Sequence, residues 1–293
     1  MPVSGALDSL RTYFGRTAGL RLEAGAACQA ESRLSAFLQA PEIARLSHLL
    51  DRLDPDGTGP LAQELLEALS CRETWFFRDR LPFDAFSQQI LPQLLKRHPP
   101  GRQLRIWSAG CSSGQETYSL ALRLQCAASE IAGREIALIG TDISAAMIER
   151  AQRGAFSHTE IQCGLPVAML LTCFEQLPEP ESRPWKLKEK LRAAVEFKTH
   201  NLLADATSLG LFDVIFCRNV LNLMHPGAQR IVLANVAGQL ADGGYLVLGK
   251  GEEPWSLSGS FVAVGKDTGI FERRTTPLAA NVRAGHLRLV SSR

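Results

Sequence analysis

The feature that most constrains this chain is a regular alternation of short apolar strands and amphipathic helices after residue 100. Residues 104–110 have the apolar run of a buried strand, and residues 115–129 have the spacing of an amphipathic helix. Further strands are predicted at 135–143, 195–201, 212–220, 245–251, 260–265 and 268–274, with helices at 144–154 and 225–240. This alternation predicts an α/β domain, in which a doubly wound, Rossmann-like parallel sheet carries helices on both faces.

The segment before this pattern predicts a separate unit. Residues 1–88 lack β-branched runs and show apolar residues three and four apart, which is typical of helices, and they carry a net charge of −3. We therefore expect a small all-helical domain at 1–88 and the α/β domain at 89–274. Within the latter, the polar, Pro-rich stretch 156–193 is interpreted as an insertion, and 275–293 as a tail.

Composition excludes several classes of protein. The 293 residues include 32 Lys and Arg against 30 Asp and Glu, so the basic footprint of a dedicated nucleic-acid-binding protein is missing. No apolar run is long enough to span a bilayer, and no secretory signal is visible. Seven scattered cysteines without a CxxC pair argue against a structural zinc site and favour a reduced, cytoplasmic protein.

The end of the first predicted strand is a candidate ligand site, because ligands bind at the carboxyl ends of strands in such sheets. Small residues fill the turn 108–114, which lets the backbone approach a ligand closely. The dinucleotide fingerprint GxGxxG is absent, so a nucleoside ligand without phosphates is favoured over a dinucleotide. An ordinary tight turn is the alternative interpretation.

Polar residues end the second and the fourth predicted strands. Asp142 follows the second strand, where a carboxylate can accept hydrogen bonds from both hydroxyls of a ribose; alternatively, Asp142 or Ser144 caps the next helix. Asn219 follows a later apolar run, where its amide suits the polar edge of a ligand or a turn in the loop.

Several motifs occur in an order that resembles the CheR-type chemoreceptor methyltransferases, over about residues 7–273. The motifs are SCRETWFFRDRLPF, IWSAGCSSGQETYSLAL, GTDIS, FDVIFCRNV and GGYLVLGKGE. The resemblance implies a class I methyltransferase sheet behind a helical domain. It also implies transfer of a methyl group from S-adenosylmethionine, with S-adenosylhomocysteine as product, to glutamates on the acidic helices of a chemoreceptor-type protein in the cytoplasm.

The same resemblance implies a set of cofactor-binding residues and no catalytic residue. It gives Arg78 the methionine carboxylate, Asp142 the ribose, and the later positions the adenine and the methionine end. The set is Thr74, Arg78, Glu116, Asp142, Asn201, Leu202, Asn219 and Val220. For the aromatic run 75–77, core packing is the expected role of at least two residues.

The sequence departs from the family pattern at several positions. Arg72 stands where the family usually has Asn, Gln115 where it has Glu, and residues 223–225 read Leu-Met-His in place of Tyr-Phe-Asp. The helical segment is also net acidic, whereas the family often presents a basic face to its receptors.

These departures leave alternatives open. One is a related methyltransferase with another acceptor, in which His225 acts as a base; another is a module that binds the cofactor without catalysis. A nicotinamide dehydrogenase is disfavoured by the absence of GxGxxG. A glutamate acceptor needs no general base, because a carboxylate with an ordinary pKa of about 4.3 is already ionised at pH 7.

Overall fold

A computed structural model describes residues 3–21, 51–69, 73–178, 182–257 and 259–274. The predicted tail and Arg72 lie outside the described residues. The strands of the described chain are β1 (Leu104–Ala109), β2 (Ile136–Asp142), β3 (Ala155–Phe156), β4 (Phe174–Gln176), β5 (Trp185–Leu187), β6 (Val195–Thr199), β7 (Phe212–Cys217), β8 (Leu240–Leu248), β9 (Phe261–Ala263) and β10 (Ile270–Arg273).

The helices alternate with these strands, as the sequence predicts. They are α1 (Val3–Thr17), α2 (Pro60–Leu69), α3 (Leu81–Ala85), α4 (Leu91–Arg97), α5 (Gln115–Cys126), α6 (Ala145–Arg153), α7 (His158–Gln162), α8 (Val167–Cys173), α9 (Glu189–Arg192) and α10 (Pro226–Gly238). A π-helical turn, Phe86–Ile90, joins α3 to α4. Within the described ranges, no helix combines the length and the apolar character needed to cross a membrane.

The main sheet has the order β6-β2-β1-β7-β8-β10-β9. The first five strands in this order are parallel, and β10 pairs antiparallel with both β8 and β9. Because the chain winds outward from β1 in one direction and from β7 in the other, the order reverses between β1 and β7. The carboxyl ends of these two strands therefore frame the ligand crevice of this fold.

The two faces of the sheet bury different side chains, because neighbouring residues of a strand point to opposite faces. On β1, Ile106 packs in the cluster that also holds α3, α4 and α5, whereas Trp107 packs in the cluster that holds α10. Both residues are fully buried. The sheet thus has helices on both faces, and the predicted doubly wound α/β fold is confirmed.

The predicted insertion contains a second sheet of its own. Strands β3, β5 and β4 form an antiparallel sheet in that order, flanked by α7 and α8. Phe156 and Phe174 of this sheet contact Phe76 edge-on, with ring centroids 4.9 and 5.7 Å away. The small sheet is therefore joined to the main core through an aromatic cluster.

The N-terminal helices have a small core of their own. Leu10 and Phe14 of α1 pack against Leu65 and Leu66 of α2. The predicted domain boundary at residue 88 falls inside the continuous helical run 81–97, whose apolar residues pack in the core of the main sheet. The boundary itself stays a prediction.

A buried carboxylate anchors the amino-terminal end of β7. Asp213 accepts hydrogen bonds from the amide of Arg105 at 2.9 Å and from Nη2 of Arg102 at 2.8 Å. Asp213 is almost fully buried, so its bond to the Arg105 amide is shielded from water. Strand β7 is thereby held to β1 at the end of the sheet opposite the crevice.

Replacing Asp213 with Ala should lower the free energy of unfolding by about 1–3 kcal/mol, because the buried amide of Arg105 loses its partner. Urea unfolding would measure the change. Asp8→Ala is the matched control, since Asp8 forms only an exposed pair with Arg11 and should change stability by less than about 0.5 kcal/mol. Equal losses in the two variants would contradict the anchoring role of Asp213.

Candidate functional site

A cleft lies at the carboxyl ends of β1, β2, β6 and β7, where ligands bind in this type of sheet. All eight residues predicted to bind the cofactor lie on its walls. They are Thr74, Arg78, Glu116, Asp142, Asn201, Leu202, Asn219 and Val220.

The floor of the cleft depends on a glycine. Gly110 directly follows β1 and has a φ of +80°, a left-handed conformation that other residues rarely adopt. A Cβ at this position would lie 2.5 Å from Cγ2 of Val220. The glycine thus lets the turn after β1 and the loop after β7 meet at van der Waals distance.

Asp142 ends β2 and faces both the turn after β1 and the start of α6. One carboxylate oxygen accepts a hydrogen bond from the amide of Ser112 at 2.8 Å, and the other accepts from the amide of Ser144 at 3.0 Å. The helix cap itself is Ser144, whose hydroxyl accepts from the amide of Met147. Asp142 therefore organises the two turns at this edge of the cleft.

A buried cation closes the cleft beside β7. The side chain of Arg218 is 1% exposed and lies 3.1 Å from Oε2 of Glu116 and 2.7 Å from Oδ2 of Asp79. It also donates to the carbonyl of Arg78 at 2.9 Å. Burial raises the pKa of Glu116, and the Arg218 guanidinium opposes that rise. The cluster ties the loop that carries Thr74 and Arg78 to the end of β7.

The other side of the β7 loop is held by Glu252, a buried carboxylate after β8. Its oxygens accept hydrogen bonds from the amides of Asn219, Gly249 and Asn222 at 2.8, 2.7 and 3.1 Å. Asn219 has a φ of +58°, which asparagine tolerates better than most residues. These bonds fix the backbone that presents Asn219 and Val220 to the cleft.

Arg78 and Trp75 form the outer edge of the cleft. The Arg78 guanidinium lies over the indole ring, 4.4 Å from its centroid, and donates to the carbonyl of Glu73. Phe76 and Phe77, in contrast, are buried in the main core, as expected for two of the three aromatic residues. The rings of Phe76 and Phe77 therefore anchor the loop in the core, and the Arg78 guanidinium lies over the ring of Trp75 at the edge of the cleft.

Asn201 has a role that the sequence did not predict. Its Nδ2 donates to the carbonyl of Thr17 at 2.8 Å, and its Oδ1 accepts from the amide of Leu203 at 3.0 Å. The side chain thus joins the end of α1 to the wall of the cleft. The side chain of Leu202 lies in the apolar cluster beneath.

Three buried polar atoms on the cleft walls have no hydrogen-bond partner among the described residues. They are Oγ of Ser112, Nε2 of His200 and Nε of Arg218. Buried polar atoms in folded proteins are nearly always paired, so these three atoms mark where the cleft walls are least satisfied. The carboxylate of Asp142 and the guanidinium of Arg78 suit the hydroxyls and the carboxylate of a nucleoside that carries an amino-acid group.

The comparisons with known proteins decide the family. Residues 72–270 match the family described as "CheR methyltransferase, SAM binding domain". The chain belongs to the CheR methyltransferase family. It is 34% identical over 269 residues to chemotaxis protein methyltransferase 1 of Pseudomonas aeruginosa, covering 91% of this chain and 96% of that protein. It is 32% identical over 254 residues to chemotaxis protein methyltransferase Cher2 of Pseudomonas putida, covering 85% and 91%.

These matches confirm the predicted family, the methyltransferase activity in chemotaxis and the S-adenosylmethionine cofactor. The roles of the eight individual residues stay predictions. Of the departures from the family pattern, Gln115 is buried and its Oε1 accepts from Oγ of Ser113 at 2.9 Å. Leu223 is 36% exposed and lines the cleft.

The structure argues against His225 as a base. Its Nδ1 accepts a hydrogen bond from the amide of Ala228 at 3.2 Å, which caps α10, and its Nε2 lies 3.0 Å from the carbonyl of Gly15. A carbonyl can only accept, so Nε2 carries the proton and both ring nitrogens are occupied. His225 is also absent from the cleft lining.

Sequence reasoning missed several residues that build the site. Arg218 and Glu252 lie inside motifs that were recognised, yet burial and pairing, which define their roles, are not visible in a sequence. The cleft is also lined by Ala18 and Leu20 of the turn after α1 and by Leu66 and Glu67 of α2. No local pattern could have placed them there, because their neighbours are far away along the chain.

Gly110→Ala should weaken S-adenosylhomocysteine binding at least about tenfold, because the new methyl group displaces Val220 from the cleft wall. Gly101→Ala is the matched control: its φ of +89° imposes a similar backbone strain, but nothing lies within 4 Å of the added Cβ. Both variants should lose about 1–2 kcal/mol of stability. Calorimetric titration that finds equal affinities in the two variants would contradict the assigned contact.

Proposed function

We propose that this protein transfers the methyl group of S-adenosylmethionine to glutamate side chains of chemoreceptors. The observation that carries the proposal is the cleft at the carboxyl ends of the parallel strands, whose walls bring together all eight residues predicted to bind the cofactor. The relatives named as chemotaxis methyltransferases support a chemoreceptor as the acceptor.

The residues around the cleft suit an acceptor that needs no deprotonation. Both nitrogens of His225 are engaged in hydrogen bonds, and burial lowers the pKa of His200. A glutamate acceptor is ionised at neutral pH and attacks through an oxygen lone pair. The protein then contributes orientation and exclusion of water rather than a proton-transfer group.

The cofactor supplies an activated methyl group on a sulfonium centre. On the protein side, Asp142 would accept hydrogen bonds from the ribose hydroxyls, and Arg78 would bind the methionine carboxylate. Asn201 and Leu202 would border the adenine, with Asn219 and Val220 toward the methionine end. Thr74 and Glu116 complete the proposed set of cofactor-binding residues. Glu116 also forms an ion pair with Arg218.

The protein partner is proposed to be a chemoreceptor-type protein with acidic helices, met in the cytoplasm. The cleft lining holds four carboxylates beside Arg78 and Arg218, so the support for this partner comes from the relatives named as chemotaxis methyltransferases. Esterification would remove like-charge repulsion along a receptor helix and so change its stability.

The direct test is to incubate the purified protein with methyl-labelled S-adenosylmethionine and the cytoplasmic fragment of a chemoreceptor. We expect label on the receptor that mild base releases as methanol, and none on a fragment whose acceptor glutamates are replaced by alanine. The rate should change little between pH 6 and 8, because the acceptor carboxylate is ionised throughout. Label that resists base would contradict a glutamyl ester.

Arg78→Gln should weaken binding of S-adenosylhomocysteine by about 1.5–3 kcal/mol, the range for a hydrogen bond to a charged group, and leave adenosine binding unchanged. Only the former ligand has the carboxylate that Arg78 is proposed to bind. Asp142→Ala is the matched variant, because loss of a ribose contact should weaken both ligands equally. Parallel losses for both ligands in Arg78→Gln would contradict the carboxylate role.

A further inference from the structure

The turn that follows α1 forms one wall of the cofactor cleft and is attached to the loop after β7. Ala18 and Leu20 line the cleft from the N-terminal side, and Leu223 and Met224 line it from the β7 side. Leu20 pairs with Met224 in an isolated antiparallel bridge. Two walls of the same cleft, about 200 residues apart in sequence, therefore meet edge to edge.

Backbone hydrogen bonds join these two walls on both sides of the bridge. The amide of Arg21 donates to the carbonyl of Leu223 at 2.8 Å, and the amide of His225 donates to the carbonyl of Gly19 at 3.1 Å. Gly19 has a φ of +69°, and a Cβ there would lie 2.6 Å from Cβ of Ala228. The turn thus lies directly on the first turn of α10.

His225 adds the one side-chain bond from the β7 loop to this turn among the described residues. Its ring serves two elements at once, since Nδ1 accepts from the amide of Ala228 in α10 and Nε2 donates to the carbonyl of Gly15 in α1. A single neutral tautomer satisfies both bonds. The residue that begins α10 therefore also fixes the end of α1.

We propose that His225 is a positioning residue that clasps the Gly15–Arg21 turn to the loop after β7, so that cofactor binding and docking of the N-terminal segment stabilise each other. The proposal rests on the proposed cofactor site. Because the docked turn supplies part of the cleft wall, a ligand in the cleft contacts it only in the docked state. By linkage, the ligand must then oppose undocking.

Two substitutions separate the two bonds of His225. Asparagine keeps an acceptor near Nδ1 and is a preferred N-cap, but it is too short to reach Gly15. Glutamine places an amide nitrogen near Nε2 and can reach Gly15, but it is a poorer cap. His225→Asn should therefore break the hydrogen bond to the Gly15 carbonyl and keep the cap of α10. His225→Gln should keep the hydrogen bond to Gly15.

A pair of glycines gives an independent test that leaves the imidazole untouched. Gly19→Ala would drive a methyl group into Ala228 and lift the turn from α10. Gly15→Ala is the matched control, because its added Cβ would meet only the carbonyl of Leu20, at an ordinary 3.7 Å. Gly15 lies in α1 and lacks the left-handed φ of Gly19, so Gly19→Ala combines backbone strain with the clash against Ala228, and Gly15→Ala has neither.

The experiment is limited trypsin digestion of the full chain, with cleavage after Arg21 followed by mass spectrometry. Cleavage after Lys266, an exposed residue of the β9–β10 loop, is the internal control. Saturating S-adenosylhomocysteine should slow cleavage after Arg21 in the native protein and leave Lys266 unaffected. Without ligand, His225→Asn and Gly19→Ala should be cleaved after Arg21 about 3- to 10-fold faster, the range for one net hydrogen bond, and His225→Gln and Gly15→Ala should not.

Two results would overturn the proposal. One is cleavage after Arg21 that S-adenosylhomocysteine leaves unchanged, although calorimetry shows that the ligand is bound. The other is cleavage of His225→Asn and Gly19→Ala at the native rate. If calorimetry instead detects no binding of the ligand to the native protein, the cofactor site itself fails, so the two failures are distinguishable.

Discussion

The ion cluster around Arg218 is the interaction on which the arrangement of the site depends most. A guanidinium buried at the end of β7 would be strongly unfavourable without partners, and Glu116 from α5 and Asp79 from the preceding loop supply them. Each partner lies on a different segment of the cleft wall. The requirement to neutralise one buried charge therefore fixes three segments relative to one another, including the loop that carries Thr74 and Arg78.

The backbone around the cleft is positioned in a similar way, by buried carboxylates that accept hydrogen bonds from neutral backbone amides. Glu252 accepts three amide hydrogen bonds and Asp142 accepts two, so loops that contain left-handed residues such as Asn219 and Ser112 have their donors satisfied. Each carboxylate stabilises the fold more through these hydrogen bonds to the backbone than an exposed carboxylate would through its charge.

The fold could be predicted from the sequence because strand and helix periodicities are local. The ends of the strands identified Asp142 and Asn219 directly, and the resemblance to the family identified the other six residues of the predicted set. Side-chain contacts between residues that are far apart in the chain could not be predicted from the sequence. Asn201 was predicted to frame the cofactor, yet its side-chain amide bonds Thr17, 184 residues away, and no spacing rule connects the two.

The departures from the family pattern have a physical meaning in this light. The segment Leu223–His225, where an aromatic pair and an aspartate were expected, is also the segment that pairs with the N-terminal turn. His225 caps α10 as an aspartate could, but its longer ring also reaches Gly15. His225 therefore lacks the negative charge of an aspartate but forms a second hydrogen bond. Its consequence falls on how the N-terminal segment closes the cleft rather than on the chemistry inside it.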